Sequence, residues 1–384
     1  MTLRVGIAGL GGAVRHFLSA FNHVEGVELS AVADIRPEAL EPFRARGIAT
    51  FASAEEMFDS PDVDAVWIAT PNELHMDHAV QAARSGKHII GEKPMALTLE
   101  QAQAMIDAIE RNGVKYVQGH SQMFRPPVQQ MRRLVASGEL GRPFAINNWR
   151  YQNWLNKPRL ATELDTATGG GVVYRQGPHQ TDIVRCIGGG MVKSVRAITG
   201  RWSPHFPNTE GNYTAFLEFE NGIAATLVLN GYARFDSVEL VAGEEAANRA
   251  RRTERLTRAL DPDEKHALPE FALDLDAGPR ERQGPDSYGL TVVSCEGGDI
   301  RDSPNGVYVY DDEGRREIVL PRQGEAHARE LEELLAAVRD DRAPFPDARW
   351  GMATLEVIVA ILRSSAEGRE IPMQHQVPYV DQPA

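Results

Sequence analysis

The sequence predicts an α/β fold built on two sheets, one parallel and one open and mostly antiparallel. Short apolar runs alternate with helical spacing over residues 1–120, the rhythm changes beyond about Phe124, and a glycine-rich turn follows the first apolar run. Repeated strand–helix units are typical of a parallel sheet covered on both faces. The 384 residues suffice for two cores, so we predict one domain over residues 1–123 and another over residues 124–384.

The first part contains strands and helices in alternation. The predicted strands are Leu3–Ala8, Glu28–Ala33, Asp64–Ala69, His88–Ile90 and Val114–Gln118. The predicted helices are Ala13–Asn22, Pro37–Arg46, Asn72–Ser85 and Leu99–Asn112. Thr98 and Gly113 flank the last of these helices and are residue types preferred at helix ends. We also expect Asn72 to cap the third helix.

The second part reads as short strands with a few helices. Tyr213–Phe219 and Ile223–Asn230 flank an Asn-Gly pair, which indicates a hairpin. The other predicted elements are the strands Leu290–Cys295, Val307–Tyr310 and Glu317–Leu320 and the helices Val128–Ala136, Arg329–Arg339 and Thr354–Arg363. Residues 243–286 form a polar insertion, which is either a surface helix and loop or a lid or dimer arm.

Composition excludes several classes of partner. The formal net charge of −13 argues against nucleic acid, because phosphate binding usually requires a basic face. No apolar run reaches the ~20 residues that span a bilayer, and no signal segment precedes the first strand. Cys186 and Cys295 match no metal spacing. We therefore expect a cytoplasmic protein with a small-molecule substrate, no membrane or nucleic-acid partner and no metal.

A dinucleotide site is predicted at the first glycine-rich turn. Gly9, Leu10, Gly11, Gly12 and Ala13 follow a strand and precede a predicted helix, so that a pyrophosphate would rest on the helix N-terminus. Val14 replaces the third glycine of the usual Rossmann pattern, which weakens the motif taken alone.

The end of the second strand indicates which dinucleotide is bound. Asp34 ends this strand, where an acidic residue would bind a ribose 2′-hydroxyl, and Ile35 and Arg36 follow it. Asp34 favours NAD because it would repel a 2′-phosphate. Arg36 leaves NADP open, since it could turn outward and accept that phosphate, or cover the adenine.

Two further strand ends are expected at the same edge of the sheet. Thr70, Pro71 and Asn72 follow the third strand, and we expect His75 to be structural or a cofactor contact. Glu92 and Lys93 follow the fourth strand. Burial and a bound nicotinamide cation would lower the pKa of Lys93, which would suit it to exchange a hydroxyl proton during hydride transfer, while Glu92 would oppose that shift.

A second cluster follows the glycine run 169–171. Tyr174, Arg175, His179 and Asp182 come after it. The glycines would permit close approach of a ligand. We expect His179 at the start of a helix with Asp182 one turn on, where Asp182 could orient it. The alternative is that His179 only bonds locally at a helix end.

These motifs resemble those of the Gfo/Idh/MocA oxidoreductases over nearly the whole chain. The resemblance rests on the glycine turn, Asp34, Thr70-Pro71-Asn72, Glu92-Lys93-Pro94 and the glycine run that leads to His179. It implies a Rossmann domain followed by an α/β domain whose open sheet often carries the interface of a dimer or tetramer. It also implies that Lys93 and His179 act on a substrate hydroxyl.

One departure from the family concerns the substrate. Sugar-oxidising members have aspartate where this chain has Arg175, and the planar fork of arginine suits a carboxylate. The other candidate substrate residues are Tyr174, Trp154, Arg159 and His120. The arginines could instead be surface residues beside buried aromatics. The pattern is also similar to the subgroup that oxidises phthalate 4,5-cis-dihydrodiol.

We therefore hypothesise an NAD-dependent dehydrogenase that oxidises a secondary ring alcohol, a carboxylated cis-dihydrodiol, to a catechol. Three other functions are left open. They are a sugar or inositol dehydrogenase of the same family, a glycoside-cleaving enzyme that recycles NAD, and a non-catalytic NAD-binding sensor.

Overall fold

The chain folds as the predicted α/β protein with two sheets. The computed structural model describes residues 1–242, 257–271, 273, 275, 285–321 and 326–380. Within these ranges, no helix combines the length and apolar character needed to cross a bilayer, and no three His, Cys, Asp or Glu side chains are grouped as metal ligands. Cys186 and Cys295 are buried, and neither forms a disulfide within the described part of the chain.

The first sheet is parallel throughout. Its strands are β1 (Leu3–Ala8), β2 (Val27–Ala33), β3 (Ala49–Phe51), β4 (Ala65–Ile68), β5 (His88–Glu92) and β6 (Tyr116–Gly119). Their order is β3-β2-β1-β4-β5-β6. The strand order reverses between β1 and β4, and ligands of such sheets bind at that point, beyond the carboxyl ends of the strands.

The helices beside this sheet agree with the prediction except at the first connection. They are α1 (Pro37–Arg44), α2 (Ala54–Phe58), α3 (His75–Arg84) and α4 (Leu99–Asn112). The prediction for α4 is confirmed at both ends, since the Thr98 side chain accepts the Gln101 amide and Gly113 has a left-handed φ of 64°. The edge strand β3 and the short helix α2 were not predicted.

The predicted helix at Ala13–Asn22 is wrong. Two 3₁₀ turns, Val14–His16 and Leu18–Asn22, replace it, separated at Phe17. At Phe17 the backbone leaves the helical region, with φ −126° and ψ −5°, and the Phe17 ring stacks on Trp67 at 3.9 Å between centroids. The helix α9 (Ala326–Arg339), distant in sequence, packs against the same core.

The second sheet is mostly antiparallel. Its strands are β7 (Pro143–Tyr151), β8 (Val192–Gly200), β9 (Asn212–Phe219), β10 (Ala224–Asn230), β11 (Leu290–Cys295), β12 (Gly298–Ser303), β13 (Gly306–Asp311), β14 (Gly314–Val319) and β15 (Ile371–Pro372). Their order is β14-β13-β12-β11-β7-β10-β9-β8-β15, and the pair β7–β10 is parallel. The predicted hairpin β9–β10 is confirmed, whereas β7, β8, β12 and β15 were missed.

Helices cover one face of the second sheet. Those of this part are α5 (Pro126–Ser137), α6 (Gly171–Gly188), α7 (Glu239–Ala242), α8 (Pro262–His266), α9 and α10 (Ala348–Glu367). Helices α6 and α10 pack on the strands and on each other. Because α6 also reaches the carboxyl edge of the first sheet, its side chains meet those that follow β4, β5 and β6. We keep the boundary at residues 123/124 as a proposal, with α9 as a later segment that packs on the first sheet.

Candidate functional site

The glycine turn after β1 is shaped for a close backbone approach. Gly9 has a φ of +89°, and a Cβ there would lie 2.9 Å from the carbonyl oxygen of Ala69, so only glycine fits. Gly11 faces open space. Because 3₁₀ turns follow, the predicted α-helix N-terminus is absent here, and a phosphate would meet the amides of the turn itself.

Asp34 is held by the turn and by Arg36. Its Oδ2 accepts the Leu10 amide at 2.7 Å, and its Oδ1 accepts the Arg36 amide and Nε, each at 2.9 Å. Burial opposes ionisation, but these hydrogen bonds hold the pKa of Asp34 below its ordinary value. Arg36 therefore does not turn outward, and its charge is neutralised by Asp34. Ile35 beside them is exposed, which leaves an apolar surface at this edge.

Asn72 and His75 connect loops instead of capping a helix. The Asn72 side chain donates to the Gly169 carbonyl at 3.0 Å, and its oxygen faces Arg175 Nη1 at 3.5 Å, so the predicted cap is wrong. His75 lies between the carbonyl oxygens of Pro94 (2.8 Å) and Thr70 (2.9 Å). This contact braces the loops after β4 and β5, which agrees with the structural role considered for His75.

Lys93 lies where β5 ends, against the backbone of α6. Its Nζ donates to the Arg175 carbonyl at 3.3 Å. Burial lowers the pKa of Lys93 to about 8; the carboxylate of Glu92 opposes this shift and Arg175 adds to it. The lysine can therefore be neutral near physiological pH, which is the state that accepts a proton.

His179 lies within α6, and Asp182 does not orient it. Helix α6 begins at Gly171, so His179 is in the third turn instead of at the helix start. The His179 ring lies 5.0 Å from that of Tyr288. Burial, followed by the charge of Lys93, keeps the pKa of His179 well below its ordinary value, so the ring is neutral.

Asp182 faces a different histidine. Its Oδ1 lies 3.0 Å from Nδ1 of His120 and accepts the Trp350 indole N–H at 2.6 Å. The predicted Asp182–His179 pair is therefore wrong. An aspartate three residues after a histidine can reach it on a helix face, but here tertiary packing turns Asp182 toward the sheet edge.

Glu163 forms ion pairs with three cationic side chains of the site. Its Oε1 accepts Arg175 Nη2 at 2.8 Å and lies 3.7 Å from Arg159 Nη1, while its Oε2 accepts Lys265 Nζ. Burial would raise the pKa of Glu163, but the three cations lower it to about 2. Arg159, Arg175 and Lys265 carry three positive charges and Glu163 carries one negative charge. The cluster therefore has a net charge of +2 near Lys93.

Burial, with a smaller contribution from neighbouring cations, also lowers the pKa values of Arg159 and Lys157. Burial lowers the pKa of Arg159 to about 10. Burial, followed by the charges of Arg159 and Arg150, lowers the pKa of Lys157 to about 8. The cluster therefore favours an anion that would compensate these charges.

The described part of the insertion enters the site. Lys265 in α8 binds Glu163, and the ring of Phe271 lies so close to Gly12 that a Cβ there would be 3.2 Å from it. Arg15 lies over the same ring at 5.1 Å. This segment therefore contacts the cation cluster through Lys265 and the glycine turn through Phe271, while residues 261–264 are exposed. The remainder, residues 243–256 and most of residues 272–284, lies outside the described residues.

Protein groups pack closely against the glycine run and against two of the predicted substrate residues. A Cβ at Gly171 would lie 2.1 Å from Glu210 Oε1, and one at Gly169 would lie 2.4 Å from Leu97, so these glycines admit protein groups instead of a ligand. Tyr174 is buried and donates to the Leu97 carbonyl at 2.9 Å. Trp154 is buried under Arg159, whose guanidinium lies 4.0 Å from its ring.

Sequence reasoning assigned no role to Glu163, Lys265, Tyr288 or Gln176. Tyr288 donates to Gln176 Oε1 at 2.7 Å and forms the wall beside His179. Only Glu163 had a local signal, because it follows Arg159 by four residues in the chain. Lys265 and Tyr288 reach the site from segments that are distant in sequence. No motif or residue spacing in the sequence therefore predicts that they belong to the site.

Family comparisons cover most of the chain. A model of the GFO/IDH/MocA oxidoreductases, described as an NAD-binding Rossmann fold, matches residues 3–120. A model of the GFO/IDH/MocA C-terminal domain matches residues 128–247.

Individual relatives agree with these matches. A 1-carboxy-3-chloro-3,4-dihydroxycyclohexa-1,5-diene dehydrogenase from Comamonas testosteroni is 33% identical over 94% of each chain. The crystal structure of a dehydrogenase from Bordetella bronchiseptica RB50 is 36% identical, with a TM-score of 0.85 over 97% of this chain and 100% of that one. A levoglucosan dehydrogenase complex with NADH and levoglucosan shares the fold, with a TM-score of 0.76, 19% identity and coverage of 97% and 99%.

Proposed function

The chain belongs to the GFO/IDH/MocA oxidoreductases and is an NAD(P)-dependent oxidoreductase with an NAD-binding Rossmann domain; on that premise we propose that it oxidises a carboxylated cyclic cis-dihydrodiol to a catechol. The observation that carries this substrate class is the cation cluster around Glu163, which leaves two positive charges beside Lys93. The Comamonas relative is named for a substrate with a carboxylate and two adjacent hydroxyls on a cyclohexadiene ring.

The residues at the sheet edge fit a dinucleotide. Gly9 allows the tight turn against the loop after β4, Gly11 leaves the backbone open to a pyrophosphate, and Asp34 and Ile35 provide a carboxylate and an apolar surface for an adenosine. NAD, when bound, supplies the hydride acceptor. Because Arg36 is paired with Asp34, no free cation of this pair would attract a 2′-phosphate. This supports NAD over NADP.

Lys93 is the proposed acid–base group. Neutral Lys93 would take the hydroxyl proton as the carbon–hydrogen bond of the same carbinol is broken, leaving a carbonyl on the ring. His179, kept neutral by burial, would hydrogen-bond the reacting hydroxyl. The ring ketone of a dihydrodiol then tautomerises to an aromatic catechol, which drives the oxidation forward.

Arg175 and Arg159 are the proposed carboxylate ligands. Arg175 is partly exposed, with 29% of its side chain accessible, and its carbonyl contacts Lys93. The charge of Arg175 also acts on Lys93, so an acid bound by this guanidinium would lie in the neighbourhood of the proton acceptor. Glu163 holds the guanidinium groups in place, which reduces the entropy lost when they bind.

The test is NADH formation, followed by absorbance, from purified protein and NAD. One arm uses a carboxylated cis-dihydrodiol and the other arms use neutral inositols and sugars. Turnover of the acid alone is expected. Turnover of the neutral polyols instead would support the sugar dehydrogenase alternative and contradict the role of the arginines. Copurified cofactor without net NADH release would indicate the NAD-recycling enzyme, and bound NAD without any turnover would indicate a sensor.

The pH dependence of the reaction follows from Lys93. Because oxidation requires the neutral amine, kcat/KM is expected to rise with pH below the pKa of about 8 and to level off above it. Measuring kcat/KM for the oxidation across one buffer series checks this, and a profile that stays flat through pH values around 8 would contradict it.

We also propose that the uncovered face of the second sheet joins copies of the chain. Trp149, Ile198 and Phe216 are exposed on the same face of β7, β8 and β9. Exposed apolar patches on a sheet are typical of protein interfaces. This supports the dimer or tetramer that the family resemblance implies.

Substitution of Ile198 tests this interface. The mass in solution, measured by light scattering, is expected to fall from a multiple of 42.3 kDa toward a single chain in Ile198→Arg. Val319→Arg is the control, because Val319 on the far edge strand β14 is equally exposed, 68% against 67%. Equal masses for the two variants would contradict the proposed interface.

A further inference from the structure

His120 lies beside Lys93 at the edge of the first sheet. Strands β5 and β6 are neighbours, and Glu92 pairs with Gly119 in their register. Lys93 and His120 are therefore the next residues on two adjacent strands, and neighbouring strands lie about 5 Å apart across a sheet. His120, like Lys93, therefore follows a parallel strand at the carboxyl edge of the first sheet, where a dinucleotide is expected to bind.

Asp182 lies against one side of the His120 ring. Both side chains are buried, and Oδ1 of Asp182 lies 3.0 Å from Nδ1 of His120, at ion-pair distance without a formed hydrogen bond. The same oxygen accepts the Trp350 indole N–H at 2.6 Å. A carboxylate this close to Nδ1 favours the tautomer with the proton on that nitrogen, so that Nε2 on the opposite side of the ring is an acceptor.

Other charged groups surround this pair on three elements. The ionisable groups close to the His120–Asp182 pair are Glu92 and Lys93 at the end of β5, His179 on the same helix α6 as Asp182, and His327 and Glu330 on α9. His327 and Glu330 contact each other at 3.0 Å between Nδ1 and Oε2. Within this group, Lys93 and His120 follow adjacent strands of the first sheet, and His179 on α6 is close enough to both to feel their charges.

We propose that His120, oriented by Asp182, accepts a hydrogen bond from the second hydroxyl of a vicinal diol and thereby selects diols over single alcohols. The inference rests on the proposed dehydrogenase function, in which Lys93 accepts the proton of the hydroxyl that is oxidised and His179 hydrogen-bonds the same hydroxyl. A second acceptor beside them matches the second hydroxyl of a cis-diol, which lies on the next carbon and on the same face of the ring.

Two substitutions separate this role from a structural one. Asparagine at position 120 places its amide nitrogen near the former Nδ1, so that it keeps the contact with Asp182 but loses the acceptor at Nε2. Glutamine places its amide oxygen near the former Nε2, so that it restores an acceptor. A residue that merely supports Asp182 would tolerate asparagine better than glutamine, and a residue that binds the diol would tolerate glutamine better.

The experiment compares two cyclohexene carboxylates, one with a cis-vicinal diol and one with a single allylic hydroxyl. The wild type is expected to favour the diol in kcat/KM by roughly 10- to 100-fold, the range for one hydrogen bond in a desolvated site. His120→Asn should bring this ratio close to one, and His120→Gln should retain part of it. A wild-type ratio in His120→Asn, or a larger loss in His120→Gln, would overturn the inference.

Asp182→Asn provides an independent check. Asparagine still accepts the Trp350 N–H but no longer holds the proton on Nδ1 of His120, so the diol preference should weaken. In the His120→Asn background it should change nothing further, since coupled residues are not additive. An equal effect in both backgrounds would overturn the inference. NADH binding, followed by fluorescence, shows that each variant is folded.

The same data separate the inference from its premise. If the wild type oxidises neither carboxylate while it binds NADH, the proposed function fails and the inference fails with it. If the wild type oxidises the ring alcohols and His120→Asn leaves the ratio unchanged, only the role of His120 is rejected.

Discussion

Replacement of Lys93 with alanine is expected to lower kcat by roughly 10²- to 10⁴-fold, the usual loss for a missing general base. Affinity for NAD should change little, because the glycine turn and Asp34 are untouched. Lys93→Arg should be nearly as inactive, since arginine stays protonated and cannot accept the hydroxyl proton. Steady-state turnover and NADH titration measure the two quantities separately.

Lys87 offers a matched control on the same strand. It lies just before the amino end of β5, whereas Lys93 lies just after its carboxyl end, and its Nζ donates to the carbonyls of Ser60 and Val63. Lys87→Ala should therefore alter stability without a selective loss of kcat. Turnover that survives in Lys93→Ala would reject the assignment of Lys93 as the base.

Arg175→Asp is expected to lower kcat/KM for a carboxylated substrate by roughly 10²-fold or more, with a much smaller loss for a neutral ring alcohol. The new carboxylate would lie next to Glu163, which Arg175 now contacts at 2.8 Å, and would reduce the positive charge of the cluster by two. Removing a charged hydrogen-bond partner costs about 1.5–3 kcal/mol, and the added repulsion increases this loss.

Two further variants refine this test. Arg175→Gln removes the charge without reversing it and should give an intermediate loss. Arg111→Asp makes the same charge reversal at an exposed position at the end of α4, where the Arg111 side chain donates to the Asp107 carbonyl. Equal losses for acid and neutral substrates in Arg175→Asp would contradict a carboxylate clamp.

Local patterns predicted the elements on which the cofactor site is built. Helix α4 follows from a cap at Thr98, apolar spacing and Gly113, all within one stretch of chain. The hairpin β9–β10 follows from its Asn-Gly turn. In contrast, β7 and β8 were missed because their half-buried alternation is set by what packs on each face.

The first connection shows where local patterns fail. The stretch after the glycine turn has helical spacing, yet Phe17 stacks on Trp67 and the chain forms 3₁₀ turns. Helix α9, some 300 residues later in the chain, packs on the core beside those turns. Tertiary packing therefore overrides helix propensity here.

The partners of the site residues were decided in the same way. The sequence alone determined that a glycine turn, an acidic strand end and Lys93 share the carboxyl edge of a parallel sheet, because strand direction and order follow from local pattern and connection length. Only the tertiary structure decided that Asp182 faces His120 and that Glu163 joins Arg159, Arg175 and Lys265. Such pairings depend on which side chains packing brings together across the chain, and buried charges take the partners that packing supplies.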